Sequence, residues 1–237
     1  MVIFWLLLFI IIVIVSFLLS YQSMRNFQEA PRQTGKDYSL FLIRNLSALN
    51  TKLLEELHSE FLKKAAFISL ERLTKGNKVA LVIYGPKKIL QQFQSELNLL
   101  ELEDYTRKYL QENLFPKERR SPSLVFEMAK KKQLIGGEVF TGLPNLKETE
   151  QFWWQLIFQP KNVQKKKIFV GQIRVGLILN QDQTELIDQF ESLAGGKLLK
   201  APRPYSREQM RLMLLNRTLN FAHAQKFEIP EVLSLLG

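Results

Sequence analysis

The architecture of the chain follows from residues 67–84, which have the sequence FISLERLTKGNKVALVIY. Residues 67–73 and 78–84 are mainly apolar runs of strand length, and the segment Thr74-Lys75-Gly76-Asn77 between them is a favourable turn. We therefore expect an antiparallel β-hairpin at this place.

The segments around the hairpin predict a split βαβ unit, also called ferredoxin-like. Residues 39–44 are a short apolar strand, and residues 47–64 have the apolar spacing of a helix with Ser47 or Asn50 as its cap. After the hairpin, Pro86 opens a second helix that runs to Asn98, and residues 99–102 form the last strand. We expect one antiparallel sheet with helices on one face, in a lobe of residues 38–116.

The same order of elements returns in residues 117–202 and predicts a second ferredoxin-like lobe. The pattern places helices within residues 136–150 and 184–193, and strands at residues 124–128, 152–159, 168–179 and 197–199. Pro160 is expected to end the second of these strands, and residues 161–167 to form the hairpin connection. The chain is therefore of the α+β class, and its two lobes look like a diverged duplication.

A helical segment of residues 203–237 is expected after the second lobe. Ser206 caps a helix that begins at Glu208, and residues 229–237 form an abrupt apolar ending. This ending needs burial, either by the chain's own domain or by a partner.

The N-terminus carries an apolar run, residues 2–19, whose single polar residue is Ser16. As a helix it would be about 27 Å long, close to the hydrocarbon thickness of a bilayer. A cleaved signal peptide is the alternative, but no basic residue precedes the run and no small-residue cleavage site follows it. We expect a transmembrane anchor in residues 1–22 and a linker in residues 23–37, with lipid contacts from Trp5, Leu6, Phe9, Ile12 and Phe17.

The basic residues next to this run predict its orientation. None lies before it, whereas Arg25, Arg32 and Lys36 follow it. By the positive-inside rule, we expect a single-pass protein of the plasma (inner) membrane with a cytoplasmic C-terminal domain.

The chain has a formal net charge of +10, and much of the excess lies in lysine clusters. Such clusters attract anionic lipid or nucleic acid, although solvated turns of no function are the simpler alternative. The two clearest clusters are Lys130-Lys131-Lys132 and Lys165-Lys166-Lys167.

Most catalytic and metal chemistry finds no support in the sequence. There is no cysteine, and the two histidines, His58 and His223, have no ligand partners at helical spacing. The segment Ala194-Gly195-Gly196-Lys197-Leu198 lacks the hydroxyl residue of a phosphate-binding loop. We expect no catalytic, cofactor-binding or metal-binding residue, and no enzyme activity.

Aromatic residues offer a different kind of contact. Trp153 and Trp154 lie on one predicted strand and must point to opposite faces of the sheet, so one of them is expected on the free face. An exposed Trp would contact a partner or, as an alternative, stack on a nucleic acid base, although the RNA-recognition signature is missing. Val232 and Leu235, in the apolar ending, are further expected partner contacts.

Several segments resemble a known bacterial family. They are FISLE at residues 67–71, KGNK at 75–78, LVIYGPK at 81–87, Asp104-Tyr105, LPNLKE at 143–148 and WQLIFQP at 154–160. Together they resemble an uncharacterised membrane-anchored region of small-genome bacteria, which lies ahead of or beside an ATPase of the type IV secretion and conjugation class. The resemblance spans residues 38–236.

The resemblance implies a function. The family's motor carries a P-loop, which this sequence lacks, so the ATPase would be a separate chain or this sequence a fragment of a longer one. We expect a non-catalytic scaffold of a type IV secretion or DNA-transfer-like machine that docks a P-loop ATPase. The alternative is a membrane-tethered nucleic-acid-binding module that uses the basic clusters.

Overall fold

The computed structural model describes residues 2–26, 37–106, 124–129, 146–148, 150–178, 188, 197–200 and 207–236. These residues form a mixed α+β structure with one large antiparallel sheet of nine strands. The class predicted from the sequence is confirmed at this level.

The first half of the sheet is built around the predicted hairpin. Its elements are β1 (Tyr38–Ile43), α2 (Thr51–Lys63), β2 (Ile68–Lys75), β3 (Lys78–Pro86), α3 (Lys87–Leu90), α4 (Gln94–Leu97) and β4 (Leu99–Leu102); the N-terminal helix α1 is described below. The Asn50 side chain accepts a hydrogen bond of 3.0 Å from Leu53 N, which confirms Asn50 as the cap of α2. Gly76 supplies the positive φ of +52° that the hairpin turn needs.

The second half contains β5 (Leu124–Ala129), β6 (Gln151–Val163), β7 (Lys166–Ile178) and β8 (Lys197–Lys200). The order across the sheet is β4-β1-β3-β2-β6-β7-β5-β8, and β9 (Gln225–Glu228) is added to the edge of β7. Numbered within its own half, each set of four strands has the order 4-1-3-2 from the rim inwards. Both halves therefore share one arrangement of strands.

The two halves meet through an antiparallel pairing of β2 with β6. The register runs from Ile68 opposite Phe158 to Lys75 opposite Gln151. The strands of both predicted lobes thus lie in one continuous sheet, and the boundary drawn between residues 116 and 117 stays a prediction.

The predicted end of the second-half strand at Pro160 is wrong. β6 continues to Val163, and the connection to β7 is the two-residue turn Gln164-Lys165 instead of residues 161–167. β2 begins at Ile68, opposite Phe158, so β7 is the described strand that pairs with β6 at residue 160. The missing N–H of proline is therefore tolerated on the open edge of β6. The predicted helices within residues 136–150 and 184–193 lie almost entirely outside the described residues.

Both faces of the sheet are covered. One face packs on α2 and on α6 (Ile229–Ser234), with a core that includes Leu54, Phe61 and Trp154. The other face packs on α5 (Arg207–Leu215), which places Met210 and Leu214 against Trp153. The helices of the first half, α2, α3 and α4, all pack into the core of the first face, as expected for the lobe of residues 38–116. The second face is covered by the C-terminal segment, which the sequence did not predict.

The apolar ending of the chain is buried by the chain's own domain. β9 pairs with β7, with Phe227 opposite Phe169, and leads directly into α6. The carboxylate of Glu231 accepts a hydrogen bond of 2.8 Å from Glu228 N at the start of this helix. Val232 and Leu235 are buried in the main core.

The N-terminal run forms the helix α1 (Val2–Asn26). Its predicted lipid-contacting side chains are exposed, namely those of Trp5, Leu6, Phe9, Ile12 and Phe17. Within the part of the chain whose side chains the structure describes, no helix is long and apolar enough to cross a membrane. The membrane anchor in residues 1–22 stays a prediction from the sequence.

Candidate functional site

A row of polar side chains crosses the middle of the sheet. Glu71 on β2 lies opposite Gln155 on β6, Gln155 lies opposite Arg174 on β7, and Arg174 lies opposite Glu127 on β5. Each of the four residues is at most 3% exposed. Because directly opposite residues share a face, the row forms a buried stripe that joins the two halves.

Arg217, just beyond α5, brings a positive charge onto this row. Its Nε lies 2.6 Å from Glu71 Oε1, and its Nη1 lies 3.0 Å from Asp104 Oδ2. The guanidinium stacks 4.3 Å from the ring centroid of Tyr84, and the Tyr105 hydroxyl donates to Glu71 Oε2. Two carboxylates and two aromatic rings therefore surround one buried cation.

Further hydrogen bonds tie the end of α5 to the row. Arg174 Nη1 donates to Met213 O at 3.0 Å and Gln155 Nε2 donates to Leu214 O at 2.9 Å, while Arg174 Nη2 donates to Thr218 O. These bonds add to those from Thr218 N to Met213 O and from Arg217 N to Leu214 O, which close the end of the helix. The polar row thus holds the C-terminal segment on the sheet.

Electrostatics fix the charge states in this cluster. Burial lowers the pKa of Arg217, but the attraction of Glu71 and its other acidic neighbours is stronger, and the net pKa is raised. Burial, and then the charge of Glu71, hold the pKa of Tyr105 well above its ordinary value. Arg217 therefore stays charged and Tyr105 neutral near pH 7, as expected of a structural ion pair.

An open groove lies on the opposite face, between the end of β1, the middle of the β2–β3 hairpin and α6. Its volume is about 800 Å³, which is within the range of ligand and peptide sites. Apolar residues line most of it, among them Leu42, Leu46, Leu49, Val79, Leu81, Leu233 and Leu236.

Two guanidinium groups, those of Arg44 and Arg72, also border the groove. Arg72 Nη1 donates to Leu236 O at 3.4 Å, and burial lowers the pKa of Arg72. The groove can accept apolar side chains together with a carboxylate.

The four residues predicted to contact a partner are buried in the chain itself. Trp154 donates its Nε1 proton to Leu235 O at 2.9 Å, and Trp153 donates to Gln151 Oε1 at 3.1 Å beneath α5. The expectation that one Trp is exposed is wrong, because α5 covers the second face, and base stacking on these rings finds no open surface. The residues of α6 that line the groove are instead Leu233 and, just beyond its end, Leu236, each one position from the predicted Val232 and Leu235.

The lysine clusters fare differently. Lys130, Lys131 and Lys132 lie outside the described residues. Lys165, Lys166 and Lys167 are exposed at the tip of the β6–β7 hairpin. Lys167 Nζ lies 3.4 Å from Glu55 Oε2, on the α2 side of that hairpin.

The two histidines are separated in the structure. His58 is buried, with its Nε2 3.0 Å from Ile168 O and 3.2 Å from Lys161 O. Because both partners are carbonyls, Nε2 carries the proton. His223 Nδ1 lies 3.9 Å from Glu127 Oε2. Among the described residues, no three His, Asp or Glu side chains are grouped as metal ligands.

The polar row was not predicted from the sequence. Its signal was present as charged or amide residues at interior positions of apolar strands, namely Glu71, Gln155 and Arg174. Polar residues at alternate positions of a strand are typical of a sheet face that is exposed to water. The pattern alone therefore does not predict that a helix packs over this face.

Comparisons with known proteins assign no family. No family model matches the chain, and no curated protein has a significantly similar sequence. The resemblance to the secretion-associated region therefore rests on the quoted segments alone.

Proposed function

We propose that this protein is a non-catalytic, membrane-anchored scaffold with a cytoplasmic domain of two ferredoxin-like halves. It would serve a type IV secretion or DNA-transfer-like machine of the inner membrane by docking a P-loop ATPase. The helix α1 would be its anchor, and the nine-stranded sheet its rigid body.

The repeated strand order supports the ferredoxin-like part of the proposal. In the first half, α2 follows β1 and the α3–α4 helical segment follows β3, as in a split βαβ unit. The second half repeats the order of strands, with β8, β5, β7 and β6 in the places of β4, β1, β3 and β2.

The groove carries the scaffold proposal. Leu46 and Val79 are 54% and 52% exposed, and both line it. Exposed large apolar residues beside an open groove are typical of protein interaction sites. The buried polar row, by contrast, is occupied by contacts within the chain, which favours a structural role for its charged groups.

A pull-down with groove variants tests this function. The tagged full chain is solubilised from membranes, and co-purified proteins are identified by mass spectrometry. We expect a P-loop ATPase with the wild type and at least tenfold less with Leu46→Glu or Val79→Glu, because a buried charge opposes docking.

Leu212→Glu is the matched control, since Leu212 is an exposed leucine of α5 outside the groove. It should recover the ATPase as the wild type does. Recovery of no P-loop ATPase, or equal recovery by the groove variants, would contradict the proposal.

A further inference from the structure

The tip of the β6–β7 hairpin forms a basic surface that the linear clusters do not show. Side chains alternate along a strand, so Lys161 and Val163 share one face of β6. Lys166 lies opposite Val163, and Lys161 Nζ sits 5.2 Å from the ring centroid of Phe221. We define the hairpin-end surface as Lys161, Val163, Lys165, Lys166, Phe221 and Lys226.

This surface combines charge with exposed apolar groups. All four of its lysines are exposed, Phe221 is 47% exposed and Val163 is 36% exposed. At this end of the sheet, one carboxylate of the described residues, that of Glu228, lies on the same face. Cations around a few exposed apolar side chains are typical of surfaces that bind anionic bilayers.

The other face of the same hairpin has the opposite character. There Lys167 lies beside Glu55 of α2 in a cleft that Glu56, Glu60 and Glu96 also line. Only the Lys161 side of the hairpin is therefore suited to an anionic partner.

The chain path places this surface near the expected anchor. Tyr38, where the linker reaches the sheet, is opposite Pro86, and the register through β3 and β2 brings that end of the sheet to Phe158. Three strand spacings separate β1 from β6, about 14 Å. β6 then projects through residues 159–163, about 17 Å further.

The linker is long enough to let the tip meet the bilayer. Residues 27–36 of the linker span at most about 35 Å when extended. A helix in the membrane and a hairpin tip on its surface are therefore sterically compatible.

We propose that the hairpin-end surface binds the anionic lipid headgroups of the membrane that holds α1. The proposal rests on the membrane anchoring proposed above and adds a second, charge-dependent contact. This contact would hold the sheet with its β6–β7 end towards the bilayer and its β2–β3 turn away from it.

A single-cysteine label tests the contact in the full chain. The chain contains no cysteine, so Val163→Cys gives one site for an environment-sensitive fluorophore. The protein is reconstituted into vesicles of phosphatidylcholine, with or without phosphatidylglycerol, that carry a lipid-bound quencher. We expect quenching only in the vesicles that contain phosphatidylglycerol. High salt should abolish this quenching, because it screens the charges.

Charge reversal and a label at the other end provide the controls. Lys161→Glu, Lys165→Glu and Lys166→Glu should each weaken the contact at least about fivefold, and their combination should give the phosphatidylcholine signal. A label at Val79→Cys, beside Lys75 and Lys78 at the opposite end of the sheet, should respond to neither lipid. Equal quenching in both vesicles, or no effect of the triple reversal, overturns the proposal.

Two further readouts separate the alternatives. Retention of the chain in phosphatidylcholine vesicles after alkaline washing shows that α1 anchors it. If the chain is washed off, the proposed anchor is contradicted, whereas the response of the Val163 label to phosphatidylglycerol still tests the lipid contact. A single-stranded oligonucleotide provides the nucleic-acid arm. A lysine-dependent response to it, with none to phosphatidylglycerol, overturns the lipid proposal in favour of nucleic acid.

Discussion

Arg217 is the residue on which the cover of the second sheet face depends. Its φ of +51° lies in the left-handed region, which costs a non-glycine residue of order 1 kcal/mol or more. Arg217 lies just beyond α5, and its guanidinium lies against the second face of the sheet, where Glu71 and Asp104 pair with it. The local strain is therefore offset by buried ion pairs.

Replacing Arg217 by Met should destabilise the fold strongly. The change leaves the Glu71 carboxylate buried without its cation, and loss of one partner of a buried pair costs about 3–5 kcal/mol. The free energy of unfolding, measured in urea by tryptophan fluorescence of the solubilised chain, reports the loss. Lys87→Met breaks the exposed pair with Glu101 and should cost under about 1 kcal/mol. Similar losses in both variants would contradict the role of Arg217.

Tyr105 should make the fold sensitive to alkali. Its pKa is raised in the folded chain by burial and by Glu71, whereas the unfolded residue titrates near 10. The folded state thus holds this proton more tightly, so the stabilisation is complete below about pH 10 and is lost as the pH rises further. In Tyr105→Phe this proton is absent. The loss of unfolding free energy with rising pH above pH 10 should therefore be smaller by about 1.4 kcal/mol per pH unit. The free energy of unfolding is measured by urea titration at several pH values for both proteins. Equal slopes against pH would exclude the linkage to Tyr105. Burial also raises the pKa of Tyr38, but Tyr38 is present in both proteins and so does not affect the comparison.

At the scale of elements, the long β6–β7 hairpin depends on a close approach at Gly171. A Cβ at this residue would lie 2.2 Å from Ile157 O and 2.5 Å from Phe158 Cβ. These atoms belong to the backbone of β6 or are fixed directly to it, so they cannot move aside without disturbing the pairing of β6 with β7. A glycine within a strand here marks the close contact of two backbones.

Gly171→Ala should therefore cost about 3 kcal/mol or more, at the upper end of what is typical of overpacking. The effect is measured as a lower urea midpoint, together with earlier hydrogen exchange in β6 and β7. Val170→Ala, on the next residue of the same strand, removes two methyl groups at a half-buried position and should cost about 1 kcal/mol. A Gly171→Ala protein as stable as Val170→Ala would show that the hairpin adjusts to the added methyl group.

Some elements were predictable because local signals agree with their tertiary role. The β2–β3 hairpin has a glycine turn between apolar runs, and α2 has both a cap and a continuous apolar face. β9 has neither, since Phe227 is its one apolar residue. It forms because β5 pairs with residues 173–177 of β7 and leaves residues 168–171 open, which no local pattern reveals.

At the scale of the whole molecule, the sequence predicted the repeated order of strands but not their union. The joining of β2 to β6 depends on residues about 80 positions apart, Glu71 and Gln155 among them. The candidate site was missed for the same reason, because its central cation, Arg217, comes from the far end of the chain. Only the fold shows that polar residues on four strands lie together beneath α5 and the segment that follows it.

The first half alone should not be a stable monomer. A chain of residues 1–116 would leave the β2 edge open, with Ile68, Leu70 and Glu71 deprived of β6. We expect this fragment, in detergent, to sediment as dimers or larger aggregates to a greater extent than the full chain, in which β6 covers the β2 edge. A monomeric fragment with native circular dichroism would show that the halves fold independently.

The two ends of the sheet, among the residues that the structure describes, have a consequence for the association of one copy with another. Both outermost strands are four residues long, and each carries charge: Glu101 on β4, and Lys197 and Lys200 on β8. Short, charged edge strands disfavour the pairing of a further strand from another chain. Growth into fibrils by strand addition is therefore disfavoured at these two ends of the sheet.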